Sequence, residues 1–354
     1  MVERRVVYLA DAPYIHTRRW VQHFAQRGWD AHVISFRPAE IEGATVHYAG
    51  GFEAIGKARY LLKARRVRAM VRDLRPDLVH ALHLTSYGFV AGLSGFQPSI
   101  VSVWGTDVLE APSLTPLHRW ITRHALRHAG AITATGLRLA EATLPHTPPG
   151  KPVTVIPYGV DLDGFVPAPR VARDEVVVGA ASRLSPEKGF DALLRAVAAL
   201  RERGVPVRVL LAGDGPARAA LERLTDDLHI REHVEFTGEV PHDAVPAVLQ
   251  RLDIFAMPST WEGFGVSALE ASAMELPAVA SDIHGIPDVV DDGGTGILVP
   301  PADPVALAAA IERLARDAAL RRTMGAAGRE FVRRHYRWQD NAALMEQLYA
   351  DMLG

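Results

Sequence analysis

The stretch Val176-Val177-Val178-Gly179-Ala180-Ala181-Ser182-Arg183-Leu184-Ser185-Pro186-Glu187-Lys188-Gly189-Phe190 decides the fold. An unbroken apolar run ends in a short polar loop with two cations, and a helical pattern follows over Phe190–Arg201. Apolar runs without alternation belong to strands covered on both faces, as in parallel sheets. A strand-to-helix loop of this kind is one βα unit, and the same unit recurs on both sides of it.

Downstream, Val207–Ala212 is followed by a helix over Ala217–Leu228, then by strands at Val234–Thr237 and Ile254–Met257, a helix at Val266–Met274, a strand at Ala278–Ala280 and a helix at Pro304–Arg316. Upstream, strands at Val6–Ala10, Ala31–Ser35, Leu78–His80, Ile100–Val103 and Ala131–Thr133 alternate with helices at Arg18–Arg27, Lys57–Leu74 and Leu117–His128. The 354 residues suffice for two domains. Pro/Gly punctuation at Pro167–Pro169 places the boundary there, giving domains at 1–166 and 167–329. A mixed aromatic and charged tail, 330–354, reads as a helix that packs back on the first domain. The expected class is α/β, with two Rossmann-like, doubly wound domains facing across a cleft, where ligands bind at the carboxyl ends of the strands.

Composition narrows the chemistry. Hydrophobic residues make up 48% and charged residues 23%, the balance of a folded soluble chain. There is no cysteine, which removes disulfides, thiolate nucleophiles and Cys-ligated metals from consideration. The apolar run at Val6–Ala10 is stopped by Asp11 and is too short for a signal or membrane segment, so a cytoplasmic location is expected. Residues 1–165 hold 19 Lys+Arg against 13 Asp+Glu, and the remainder 20 against 28. Much of the excess lies in Lys57–Arg72, with no acid in the segment. With Tyr60, Leu61, Val67, Met70 and Val71 on another side it reads as a basic amphipathic helix. It either faces water or meets an anionic membrane surface or an anionic acceptor. Without interleaved aromatics, and in a mildly acidic chain, it does not read as a nucleic-acid site.

The loop after Ala181 carries Arg183 and Lys188 where a helix N-terminus adds partial positive charge, a setting suited to a diphosphate. Only four lysines occur among the 39 basic residues. The turn Gly213-Asp214-Gly215-Pro216 admits a close ligand or an ordinary turn, and Gly293–Gly296 reads as a plain loop. Pro258-Ser259-Thr260-Trp261-Glu262-Gly263-Phe264-Gly265-Val266-Ser267-Ala268-Leu269-Glu270 puts one carboxylate in a glycine-flanked loop and a second within an apolar helix. A carboxylate buried there needs donors, for which sugar or ribose hydroxyls are suited and a structural partner is the alternative.

Glu262 and Glu270, spaced E-x(7)-E after PSTW, resemble the signature of the retaining glycosyltransferases of family 4, which have the GT-B fold. SRLSPEKGF, AGDGP, FTGEVPHDAVPAVL, DIFAMPS, IPDVVDDGGTGILVPPADP and VIPYGVDLDGF are similar in order over about 153–320. SVWGTDV and a helix ending in QRG extend the resemblance more loosely to the first half. It implies a nucleotide-diphosphate-sugar donor, no cofactor and no required metal, and a lipid-linked, glycan or small-molecule acceptor. Arg183 and Lys188 would contact the diphosphate, Glu270 the ribose, and Glu262 the transferred sugar. The backbone of Gly263, Phe264 and Gly265 would meet sugar and phosphate, with Gly213, Gly215 and Val266 completing the donor set. An epimerase or hydrolase of the same fold, or a non-catalytic sugar-nucleotide-binding protein, are the competing readings.

Two departures concern the acceptor side. Many relatives have histidine at the position of Trp104, and the glycine-rich first loop is replaced by Asp11-Ala12-Pro13-Tyr14-Ile15-His16-Thr17. Tryptophan cannot transfer a proton. Asp107, His16 and His83 are the replacements by position. Asp161-Leu162-Asp163 matches a metal-binding D-x-D pattern but reads as a turn beside Gly159 and Gly164. The pairs His80/His83 and His124/His128 lack a third ligand.

Overall fold

The computed structural model describes residues 4–50, 59–169 and 173–354. The chain divides into two compact units, Met1–Tyr158 with Asp340–Gly354, and Gly159–Gln339. The division falls at Tyr158, before the Pro-rich stretch at 167–169 expected to mark it. Val160 already belongs to the second unit, where its N–H donates to the Tyr336 carbonyl at 2.7 Å and its carbonyl accepts from Trp338 N–H at 2.9 Å.

The first unit holds a seven-stranded sheet: β1 (Arg5–Leu9), β2 (Asp30–Ser35), β3 (Ala44–Tyr48), β4 (Leu78–Leu82), β5 (Ser99–Val103), β6 (Ala131–Ala134) and β7 (Val153–Val155). Their order is β3-β2-β1-β4-β5-β6-β7 and every pairing is parallel. Strand order reverses between β1 and β4, which is the switch point of a doubly wound sheet. β4 and β5 are buried at every position, which explains their lack of apolar–polar alternation. Val7, Leu9, Val79 and Val101 form the core with Val67 and Val71 of the helix Arg59–Leu74.

That packing answers part of the question posed by the basic segment. Ala64, Val67 and Val71 are spent in the core, while Arg65, Arg66, Arg68 and Arg72 are exposed. Lys57 lies outside the described residues. The helix therefore keeps a solvated cationic side, and the apolar side formed by Ala64, Val67 and Val71 is already covered.

The second unit holds β8 (Val176–Ala181), β9 (Val207–Ala212), β10 (Val234–Gly238), β11 (Ile254–Met257), β12 (Ala278–Ser281) and β13 (Gly296–Val299). The order β10-β9-β8-β11-β12-β13, again parallel throughout, reverses between β8 and β11. The expected plain loop is a turn over Gly293–Thr295, and Gly296 begins edge strand β13.

The tail forms two helices, Ala318–His335 and Trp338–Leu353, so the expected break at residue 330 falls inside the first of them. Asp340–Gly354 belongs with the first unit. There the fully buried Tyr349 stacks on Phe24 with ring centroids 4.1 Å apart. Burying a ring of this size contributes on the order of 2 kcal/mol. The Tyr349 hydroxyl is hydrogen-bonded to His80 Nδ1 at 2.7 Å and donates to the Tyr8 hydroxyl at 3.1 Å. His80 Nε2 is hydrogen-bonded to Ser102 Oγ at 2.7 Å. Nδ1 thus fastens the tail and Nε2 ties β4 to β5, so both ring nitrogens are committed and His80 is a structural residue.

Burial without a neighbouring carboxylate pulls the His80 pKa down from 6.5 to about 3. The unfolded chain then binds the extra proton first. The stabilisation is complete above the unfolded value and is lost as pH falls from about 6.5 towards about 3. Between about pH 7 and about pH 5.5, urea unfolding is expected to show the native protein losing about 1 kcal/mol more stability than His80→Asn. Equal losses would mean that His80 is not held neutral.

Candidate functional site

The loops leaving β8 and β11, neighbours at the switch point, bring the strongest sequence candidates together. After β8 the chain makes a 3-10 turn at Pro186–Lys188 and passes through Gly189, with φ of 65°, into the helix Phe190–Glu202. A Cβ at Gly189 would overlap the Pro258 carbonyl, so only glycine lets this loop lie on the one after β11. Thr260 N–H donates to the Glu187 carbonyl at 2.8 Å across the same seam. Lys188 Nζ consequently reaches Glu262 Oε2 at 2.7 Å, a pair with both side chains largely buried. Gly265, at φ of 95°, then opens the helix Val266–Ala273. The first N–H groups of a helix have no acceptor within it and face an anion readily.

Other features favour a ligand at this seam. A small hollow is lined by Ser182, Lys188, Ser259 and Ser267 among others. Ser259 Oγ and Trp261 Nε1 are buried without a hydrogen-bond partner. Such atoms are uncommon in folded proteins and mark places where a ligand or water completes the bonding. Arg183 is exposed on the first loop. Ser185 Oγ donates to Glu187 at 2.5 Å and, with the charges of Lys188 and Arg183, holds its carboxyl below the usual range.

Gly213 and Gly215 have a different immediate role from the one expected of them. A Cβ at Gly213, where φ is 144°, would overlap the Ser182 carbonyl, and one at Gly215 the Leu184 carbonyl. Gly213 N–H donates to the Gly238 carbonyl at 2.8 Å, and Gly215 N–H to Asp214 Oδ1 at 2.6 Å. The turn after β9 therefore supports the cationic loop from behind. Gly263 is crowded similarly, since a Cβ at Gly285 would overlap its carbonyl, while the Phe264 side chain is buried.

Glu270 is largely buried and its Oε1 lies 3.0 Å from Nε2 of the half-exposed His242. Sequence reasoning matched the segment around His242 without selecting that residue. Its only signal was a histidine following Pro241 at the start of a helical turn, and nothing local linked it to a carboxylate 28 positions away.

In the first unit, Trp104 follows β5, His83 follows β4, and Tyr14 and His16 follow β1. Asp107 is fully buried. Its Oδ1 accepts from Gly105 N–H at 2.8 Å, its Oδ2 from Leu84 N–H at 2.8 Å, and both oxygens accept from Trp104 N–H at 3.2 Å. Asp107 thus organises the loop that carries Trp104, and its commitments argue against the expected catalytic part. His83 Nδ1 is hydrogen-bonded to Ser86 Oγ at 2.9 Å, on a backbone with φ of 86°. His16 stacks on Tyr158 at 3.9 Å, and Tyr14 lies 5.4 Å from Trp104.

Asp161–Gly164 is a turn, with Gly164 and Phe165 N–H groups donating to the Asp161 carbonyl at 3.2 and 3.1 Å. His124 and His128 pack ring against ring at 4.1 Å, and His128 Nδ1 donates to the His124 carbonyl at 2.8 Å.

Comparison with known proteins agrees with this architecture. Residues 167–331 match the family model described as glycosyl transferases group 1, and residues 5–136 the one described as glycosyl transferase 4-like. The chain is 33% identical over 284 residues to a GDP-mannose-dependent alpha-(1-6)-phosphatidylinositol monomannoside mannosyltransferase of Mycolicibacterium smegmatis, covering 76% of this chain and 74% of the relative. It is 34% identical over 312 residues to the alpha-D-kanosaminyltransferase of Streptomyces kanamyceticus, covering 81% and 79%. Among solved structures, sucrose-phosphate synthase of Thermosynechococcus elongatus superposes with a TM-score of 0.84 over 99% of each chain at 21% identity, a likeness of fold.

The loop seam makes two predictions for the ligand-free protein. Gly213→Ala is expected to lower unfolding stability by about 1–3 kcal/mol even without nucleotide, because the overlap is with backbone. An unchanged melting curve would return Gly213 to a purely ligand-facing role. A double-mutant cycle of Lys188→Ala and Glu262→Ala, followed by urea unfolding, should give a coupling of about 1 kcal/mol. Simple additivity would show that the pair does not hold in solution.

Proposed function

Because the chain belongs to the family 4 glycosyltransferases of GT-B fold, we propose that it binds a nucleoside-diphosphate sugar at the seam after β8 and β11. It transfers the sugar, with retention and without a metal ion, to a hydroxyl of a lipid-linked, glycan or small-molecule acceptor. The Lys188–Glu262 pair carries this reading. It fixes one cation and one hydrogen-bond acceptor together beside the opening of the helix Val266–Ala273. A diphosphate leaving group gains negative charge as its bond to the anomeric carbon breaks. Lys188, Arg183 and the helix N–H groups stabilise that charge. Glu262 accepts from sugar hydroxyls, and Glu270 from ribose hydroxyls in place of His242.

The acceptor oxygen bonds to the anomeric carbon as the phosphate oxygen leaves from the same face. The acceptor proton passes to the departing phosphate oxygen, so no side-chain base is required. Trp104 has no proton-accepting nitrogen, and the hydrogen bonds to Asp107 are all from backbone amides. The named lipid acceptor of the mycolicibacterial relative supports testing a membrane-borne acceptor first. No helix among the described residues is long and apolar enough to cross a membrane. Contact with an anionic surface would rest on Arg65, Arg66, Arg68 and Arg72.

Calorimetry with GDP, UDP, ADP and dTDP, beginning with GDP because of that relative, is expected to find one nucleotide bound. Lys188→Ala should weaken turnover of the matching nucleotide sugar by about 100-fold, the usual cost of removing one preorganised charge. The reading fails if no nucleotide binds, or if Lys188→Ala turns over normally.

A further inference from the structure

The residues around Trp104 carry a feature that the donor chemistry does not use. Tyr14, on the loop leaving β1 at the switch point of the first sheet, is 46% exposed, and Ile15, the first residue of the helix that follows, is 43% exposed. Large apolar groups left open at the carboxyl end of a parallel sheet lie where such sheets take their ligands. Tyr14 lies beside Trp104 with centroids 5.4 Å apart and planes inclined at 31°. Behind them His16 stacks on the buried Tyr158 at 3.9 Å, and Trp104 meets Tyr158 edge-on at 5.5 Å. The Trp104 backbone is held by Asp107, through its N–H and that of Gly105.

The result is a supported aromatic wall whose position is set before any ligand arrives. Aromatic rings with two side-chain torsions lose little entropy on binding, and their negative faces attract partial positive charge. A saccharide or cyclitol ring offers such charge as a flat set of C–H bonds, with hydroxyls at its rim. An acyclic polyol has no comparable face.

We propose that Tyr14 and Trp104 form a stacking platform for the ring of the acceptor, which is therefore a saccharide or cyclitol presented face-on. The proposal rests on the glycosyltransfer reading, and it assigns to Trp104 a specificity role in place of a proton-transfer role.

Saturation-transfer NMR tests it on the full chain with methyl α-mannopyranoside, myo-inositol and glycerol as probes, with nucleotide binding measured on the same samples. At least one cyclic probe should receive saturation through its ring C–H protons, about tenfold more than glycerol. Tyr14→Ala and Trp104→Ala should each reduce that signal about fivefold or more, the range expected for a lost stacking partner. Trp104→Phe should restore most of it, and nucleotide affinity should stay within about twofold in all three variants. Glycerol matching the cyclic probes, no cyclic probe responding in a wild type that binds nucleotide, or unchanged ring signals in both folded alanine variants would overturn the platform. Failure of the wild type to bind any nucleotide overturns the transfer reading instead, and the ring signals then judge the platform separately. If Trp104→Ala does not fold, Trp104→Phe and Tyr14→Ala decide: a loss in Tyr14→Ala upholds the platform, and none overturns it.

Discussion

Three loops of the second unit lie on one another backbone to backbone, and the candidate site depends on that contact. Gly189 against Pro258, Gly213 against Ser182 and Gly215 against Leu184 leave no room for a single Cβ at any of the three contacts. Side chains cannot fill or adjust such interfaces, so the positions of the loops follow from the register of β8, β9 and β11. Rigid scaffolding of this kind is what lets a loop hold a charge to within a fraction of an ångström. Lys188 and Glu262 are 74 residues apart in sequence, yet meet at 2.7 Å because their loops share a seam.

The same constraint explains which parts were legible in the sequence. Strands buried on both faces announce themselves as apolar runs, and β4, β5, β8 and β11 were readable for that reason. β3 is half exposed at the sheet edge, β7 has three residues next to a Pro/Gly-rich stretch, and β13 begins on a glycine. None of these has enough periodicity to separate it from a loop. Arg183, Lys188, Glu262 and Glu270 stood out through spacing and resemblance. Their partners did not, because the His242–Glu270 and Lys188–Glu262 contacts are products of tertiary packing. The glycines were legible as necessary, but a glycine needed for a ligand and one needed for a neighbouring carbonyl look the same in sequence.

Asp107 shows the opposite failure. Position alone made it a substitute acid or base, but a carboxylate whose oxygens accept from the amides of Leu84, Trp104 and Gly105 is building a turn. Short polar side chains compete for local backbone donors wherever a strand passes into a helix. A sequence does not distinguish an aspartate that has found such donors from one that faces a ligand. His80, set aside as a metal ligand for want of a third partner, is structural: its two nitrogens join β4 to Ser102 of β5 and to Tyr349 of the last helix.

The resting ion pair has a consequence for specificity. A lone part-buried cation at Lys188 would favour any anion, from inorganic phosphate upward. Paired with Glu262, it is already neutralised, and an incoming phosphate must compete with a carboxylate at hydrogen-bond distance. A ligand that also supplies hydroxyl donors to Glu262 compensates the carboxylate for sharing its lysine, whereas phosphate alone does not. In the proposed donor mode the pair would therefore discriminate in favour of ligands that carry a phosphate and hydroxyls together. In the proposed donor mode the His242–Glu270 contact, on the helix that follows, would impose a related requirement, since a ribose would have to offer Glu270 donors as good as an imidazole N–H. Two occupied carboxylates, if each is released by hydroxyls as proposed, would make selectivity a matter of exchange and not of attraction alone.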